Sequence, residues 1–156
     1  DYHVELVRHR EKHLISSVAR RLKRRIDDGM DSFDATIEVQ DHLMATAQAH
    51  MERVALEQFV LTARAEENEA VRGQLELLAQ LFALHLMEEG MSWYLENNLA
   101  SPAKAKAVRS EVNALCFEVR QQCVHLVDAF GIPNEVLAAP IAQSTIVPAH
   151  IDSPTN

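Results

Sequence analysis

The run Leu75-Glu76-Leu77-Leu78-Ala79-Gln80-Leu81-Phe82-Ala83-Leu84-His85-Leu86-Met87 decides the fold. Wound as an α-helix, it is apolar on nearly every face, and such a helix is stable in water only when partners surround it. It is too short to span a bilayer, and Glu76, Gln80 and His85 interrupt it, so its partners are other helices.

Working outward, this helix is expected over Asn68–Asn97, with Gly73 and Gly90 inside it. Each glycine costs about 1 kcal/mol relative to alanine, so each marks either a close helix contact or a bend. Upstream, Val7, Glu11, Leu14, Val18, Leu22 and Ile26 form one stripe of a first helix over Val4–Ile26, apolar apart from Glu11. Asp27-Asp28-Gly29 ends it, and Asp31 or Ser32 caps a second helix that runs to about Ala65. In the second helix Phe33, Ile37, Met44, Met51 and Gln58, with Gln40, Ala47, Val54 and Leu61 offset, alternate in threes and fours as a heptad-like seam. Ser101-Pro102 opens a fourth helix, carried by Val108, Val112, Leu115, Val119, Cys123, Leu126 and Phe130. Gly131 and Pro133 stop it, and a short helical turn is expected around Asn134–Ala139. The expected fold is therefore all-α: an antiparallel four-helix bundle over residues 1–139, then an irregular tail over 140–156 punctuated by Pro140, Pro148 and Pro154.

Composition narrows the function classes. An apolar fraction of 47% suits a globular domain and excludes a disordered chain. Net charge is −8, distributed as +3 over residues 1–30, −10 over 31–100 and −1 over 101–156. The acidic total and a 5% aromatic content without a stacking cluster argue against nucleic acid. Neither a signal peptide nor a membrane span is expected, and the first residue, Asp1, suggests an upstream portion. Cys116 and Cys123 lie seven residues apart on one helix, about 10 Å at the α-helical rise, too far to bridge. Free, buried thiols then point to a reducing compartment, here the cytoplasm.

Few constellations carry chemistry. A di-iron bundle needs Glu-x-x-His, but no histidine here has Glu three residues before it. His9 and His13 share a helix face at zinc spacing, yet Arg10 stands where a zinc protease has Glu, which leaves a solvated charged turn as the plain alternative. His42 and His50 share another face, with Glu38 four residues before His42; core-edge hydrogen bonding is the plain alternative. Arg20, Arg21, Lys23, Arg24 and Arg25 are either a phosphate contact or a basic face, solvated or paired with the acidic helices. Asp128 sits unfavourably at a helix C-terminus, which suggests a specific donor or, equally, a cap for the next turn at Asn134. Trp93-Tyr94 is either a subunit contact or the edge of the core. There is no Gly-rich phosphate loop and no nucleophile elbow, so no catalytic residue and no metal ligand is assigned, and no cofactor-binding residue is identified.

Several stretches, in order, resemble the C-terminal helical domain of acyl-CoA oxidases, bacterial members especially. They are Arg10-Glu11-Lys12-His13-Leu14-Ile15 with Ala19-Arg20-Arg21-Leu22; Asp27 to Phe33; Gln40-Asp41-His42; and Ala49-His50-Met51-Glu52-Arg53-Val54. Trp93-Tyr94-Leu95-Glu96 with Leu99-Ala100-Ser101 follows, and Val124-His125-Leu126-Val127-Asp128-Ala129-Phe130 is the strongest likeness. The resemblance spans about residues 8–141 and departs after Pro140. It implies FAD-dependent conversion of fatty acyl-CoA to trans-2-enoyl-CoA, with oxygen reduced to hydrogen peroxide, or a related dehydrogenase passing electrons to a flavoprotein carrier. It also implies that the catalytic glutamate and most FAD contacts belong to upstream domains, so no catalytic role carries over to a residue here. This chain would then be a packing domain or subunit in a homo- or hetero-oligomer with those flavin domains. The other expectation is a stand-alone helical interaction module. The C-terminal Ser153-Pro154-Thr155-Asn156 is not a peroxisomal tripeptide.

Overall fold

A computed structural model describes residues 2–137. Among them the chain is all-helical: α1 (Tyr2–Asp27), α2 (Ser32–Glu38), α3 (Gln40–Ala65), α4 (Glu69–Glu89), α5 (Met91–Glu96), α6 (Pro102–Arg120) and α7 (Cys123–Asp128), with a 3₁₀ turn at Asn134–Val136. The fold class expected from sequence holds, but four uninterrupted rods do not. The second, third and fourth expected helices each break once, at Val39, at Gly90 and at Gln121-Gln122. Val39, Gly90 and Gln122 share φ near −100° and ψ near 10°, between ordinary helix and turn. Val39 breaks the helix while wholly buried, so the bend there serves packing rather than local propensity. The expected helical turn extends only over Asn134–Val136 of the described residues; Ala138, Ala139 and the tail from 140 onward lie outside them.

Helix ends follow the sequence signals. Gly29, at φ 91°, closes α1 with Gly29 N–H donating to Ile26 O and Met30 N–H to Arg25 O, both at 3.0 Å. Asn98 does the same after α5 at φ 57°, with Leu99 N–H donating to Tyr94 O at 2.9 Å. Asp31 caps α2, Asn68 caps α4 through Ala70 N–H and Val71 N–H, and Ser101 Oγ accepts from Lys104 N–H at the start of α6.

Two compact units divide the chain, Asp1–Val119 and Arg120–Asn156. In the first, α1 packs on α3 and α3 on α4. One core cluster joins Val4 and Val7 of α1 to Leu56 of α3 and Ala83 of α4. A second joins Leu84 and Met87 of α4 to Tyr94 of α5 and to Val108, Val112 and Leu115 of α6. The apolar run from Leu75 to Met87 therefore feeds both clusters, as its all-round hydrophobicity requires. In the second unit α7 has no buried residue.

One expectation about burial fails, that of the thiols, and the structure shows which way the seam faces. The heptad-like seam is exposed at Phe33, Ile37, Met44, Met51 and Leu61. The buried positions of α3 are instead Ala49, Leu56 and Ala63. Two of these three are alanines, and periodicity alone does not distinguish that face from the seam. Cys116 and Cys123 are exposed free thiols, not buried ones.

Candidate functional site: a charge network between α1 and α3

Glu11 is the charged residue on the apolar stripe of α1, and the structure buries it, with only 6% of its surface exposed. Its carboxylate meets two side chains of α3. Arg53 Nε donates to Oε2 at 2.5 Å, and His50 Nδ1 lies 2.6 Å from Oε1. An ionised carboxylate only accepts, so the shared proton belongs to His50 Nδ1. Arg53 Nη1 also donates to Glu57 Oε2 at 2.6 Å, and Arg8 Nη2 reaches Glu57 Oε1 at 2.7 Å. Arg10 Nη1 donates to Glu52 Oε2 at 3.0 Å. Farther along, Arg25 Nε reaches Glu38 Oε2 of α2 at 2.8 Å. The partners' numbers fall as those of α1 rise, so α1 runs antiparallel to the α2–α3 segment.

Burial alone favours the neutral acid at Glu11. Hydrogen bonds and charge from His50 and Arg53 outweigh it and hold the carboxyl below its ordinary value. The network joins helix to helix, and each of its carboxylates is held by a cation. Next to it, Gly90 gives room to Arg10, whose guanidinium carbon would lie 3.3 Å from an added β-carbon. Of the two readings of this glycine, both hold: it marks the bend and permits the approach. Gly73 has open space around it, and α4 continues through it.

The remaining sequence candidates fall as follows. His13 meets Trp93 edge-on at 5.3 Å, and His9 lies 6.4 Å from the same ring. Among the described residues no three His, Cys, Asp or Glu side chains gather as metal ligands. His50 joins Glu11, whereas His42 stands 3.9 Å from Asp41 and Glu38 pairs with Arg25, so His42, His50 and Glu38 do not form one site. Tyr94 is buried in the core and Trp93 packs on it at 5.1 Å, which places the aromatic pair at the core edge. In the basic run, Arg25 pairs with α2 and Lys23 with Asp27 of its own helix, while Arg20, Arg21 and Arg24 are exposed around Ser17. Asp128 is exposed and its side chain has no donor among the described residues; only its main-chain carbonyl accepts, from Gly131 N–H. Sequence reasoning missed the pairing of Glu11 with Arg53. Its one available signal was an acid interrupting an apolar stripe.

A concavity of about 300 Å³ lies between α1, α3 and α4. Its floor is Leu56, Val60, Ala63 and Ala83, and His3, Arg64 and Glu76 contribute polar groups. Burial, helped by the charge of Lys104, pushes His3 below its ordinary value. A dinucleotide such as FAD needs several convergent donors for its pyrophosphate, and in this lining the one cation, Arg64, is offset by the acid Glu76. These residues do not fit a flavin, and no step through one follows from them.

A family model described as acyl-CoA oxidase matches residues 1–145. The chain belongs to the acyl-CoA oxidase family. It is 30% identical over 144 residues to peroxisomal acyl-coenzyme A oxidase 2 of Arabidopsis thaliana, covering 92% of this chain and 21% of that one. It is also 30% identical over 110 residues to a mouse acyl-coenzyme A oxidase-like protein, covering 70% and 17%. The crystal structure of acyl-CoA oxidase1 from Yarrowia lipolytica superimposes with a TM-score of 0.80 at 26% identity, over 90% of this chain and 20% of that one. The chain thus spans about a fifth of the length of these relatives, and its fold is that of a helical oxidase domain. Among the described residues no helix is long and apolar enough to cross a membrane.

Proposed function

We propose that this chain is the non-catalytic helical portion, as domain or subunit, of an FAD-dependent enzyme that oxidises fatty acyl-CoA to trans-2-enoyl-CoA. Its residues 1–139 act as one packing domain, and the flavin is held by the oxidase's other domains. The observation that carries this reading is proportion: nearly the whole chain aligns, in sequence and in fold, with only about a fifth of an acyl-CoA oxidase. The side chains agree with it, because the buried charges are spent on joining α1 to α3. In this role the chain supports the assembly around the flavin and contributes no acid or base to it. Its exposed thiols suit a reducing compartment, and we place it in the cytoplasm, although the Arabidopsis relative is by name peroxisomal.

The test is direct. The chain is mixed with FAD and a fatty acyl-CoA, and peroxide and enoyl-CoA are followed. No turnover is expected from the chain alone, and turnover is expected once the flavin-bearing portion is added. Turnover by the chain alone would falsify the assignment. A second reading, a stand-alone interaction module, is favoured by one observation, the exposed apolar seam of α2 and α3. Stable association with a partner that lacks a flavin portion would decide for it.

A further inference from the structure

The cations of α1 fall into two groups. Arg8, Arg10, Lys23 and Arg25 each reach a carboxylate within 3.0 Å. Arg20, Arg21 and Arg24 reach none among the described residues, although Asp28 lies one turn beyond Arg24. With Ser17 they follow the spacing i, i+3, i+4 and i+7, which sets all four on one face of the helix. Their side chains wall a concavity of about 360 Å³. Ser17 Oγ accepts from Arg21 Nε at 3.4 Å, which leaves its hydroxyl proton able to donate. Arg20 and Arg24 are like charges at i and i+4, an arrangement that weakens a helix. The same repulsion between Arg21 and Arg25 is relieved by Glu38, which pairs with Arg25. The helix dipole favours cations in the last turn, which accounts for Arg24 but not for Arg20 or Arg21.

We propose that Arg20, Arg21 and Arg24, with Ser17, form a binding site for a diphosphate group, either as the free ion or carried on an organic ester. A guanidinium fork pairs two N–H groups with two oxygens of one anion, and phosphate suits it as well as carboxylate does. A lone carboxylate has two oxygens and answers one fork. A diphosphate carries oxygens on two phosphorus centres, so Arg20 and Arg24, about 6 Å apart along the axis, can each take one end while Arg21 closes the side. The Ser17 hydroxyl adds a neutral donor at the inner edge. No aromatic or apolar side chain lines the concavity, so the site holds phosphates and offers no wall to a base or a flavin ring. The chain as a whole carries −8, so attraction for such an anion is confined to this face. The proposal rests on α1 alone and stands apart from the flavin assignment.

The full chain is titrated calorimetrically with inorganic pyrophosphate at fixed ionic strength, with circular dichroism as a check on folding. Saturable binding at one site per chain is expected, roughly tenfold tighter than for orthophosphate, which reaches fewer of the forks. Arg20→Gln/Arg24→Gln should keep the helicity, because both positions are exposed, and should weaken binding roughly 30-fold or more. Arg20→Lys/Arg24→Lys keeps the charge but removes the fork, and should still lose roughly tenfold. Lys12→Gln removes an exposed cation elsewhere on α1 and should leave binding as it is. Adenosine diphosphate binding as tightly as pyrophosphate would support an ester-borne ligand, and pyrophosphate binding alone would support the free ion. A folded chain that binds neither would overturn the proposal and leave the three arginines to a carboxylate surface of the oxidase's other domains. Undiminished binding by the lysine variant, or an equal loss in Lys12→Gln, would overturn it too, since either shows diffuse attraction by charge rather than a site.

Discussion

Glu11 is the residue on which the α1–α3 contact turns. It is buried, ionised and held by two donors, so removing the carboxylate leaves Arg53 without one of its two acids and His50 without its partner. Glu11→Ala is expected to lower stability by about 2–3 kcal/mol at neutral pH, read from urea denaturation. The pH dependence has a definite sign. The folded-state value lies below the ordinary 4.5, so the contribution is complete above that pH and is lost as pH falls through the depressed value. The gap between wild type and Glu11→Ala should therefore narrow in acid; a constant gap from pH 7 down to pH 3 would show that the pair is not the cause. Sequence made Glu11 conspicuous as the charge on an apolar stripe. It could not name Arg53, because contacts between helices 42 residues apart along the chain are not written in local spacing.

At the scale of the element, caps were legible and breaks were not. Asp31, Asn68, Ser101 and Gly29 act where their chemistry predicts, since a cap depends on the few residues around it. Asn68 Oδ1 accepts from Ala70 N–H at 3.0 Å and from Val71 N–H at 3.2 Å, so Asn68→Ala should cost about 1 kcal/mol and Asn68→Asp should retain most of it. Thermal denaturation of the two variants separates these outcomes, and equal losses would exclude the cap as the source. The bend at Val39 had no such signal, for nothing in Ile37-Glu38-Val39-Gln40 disfavours a helix strongly. The seam on α3 was visible in the sequence, but the side on which it lies was not. Apolar periodicity marks a face that seeks a partner, and the inner face of α3, built partly of alanine, made the weaker pattern.

Across the whole molecule stability is uneven. The first unit holds both core clusters, whereas α7 buries no residue. Amides of α7 should exchange with solvent far faster than those of Ala79–Met87 in α4, as hydrogen-exchange mass spectrometry would record; matched protection would mean that α7 is held as firmly as the core. The sequence by itself determined that the chain is helical, where most helices start and stop, and, through ordered likenesses, its family. Those properties arise from side chains acting within one or two turns, or from short stretches compared one at a time. Only the tertiary structure decided that Glu11 is a buried ion-pair partner, that three of the rods are interrupted, and that the longest apolar seam faces outward. Each depends on which helix lies opposite, and that is fixed by close packing of the entire unit rather than by the period of any one segment.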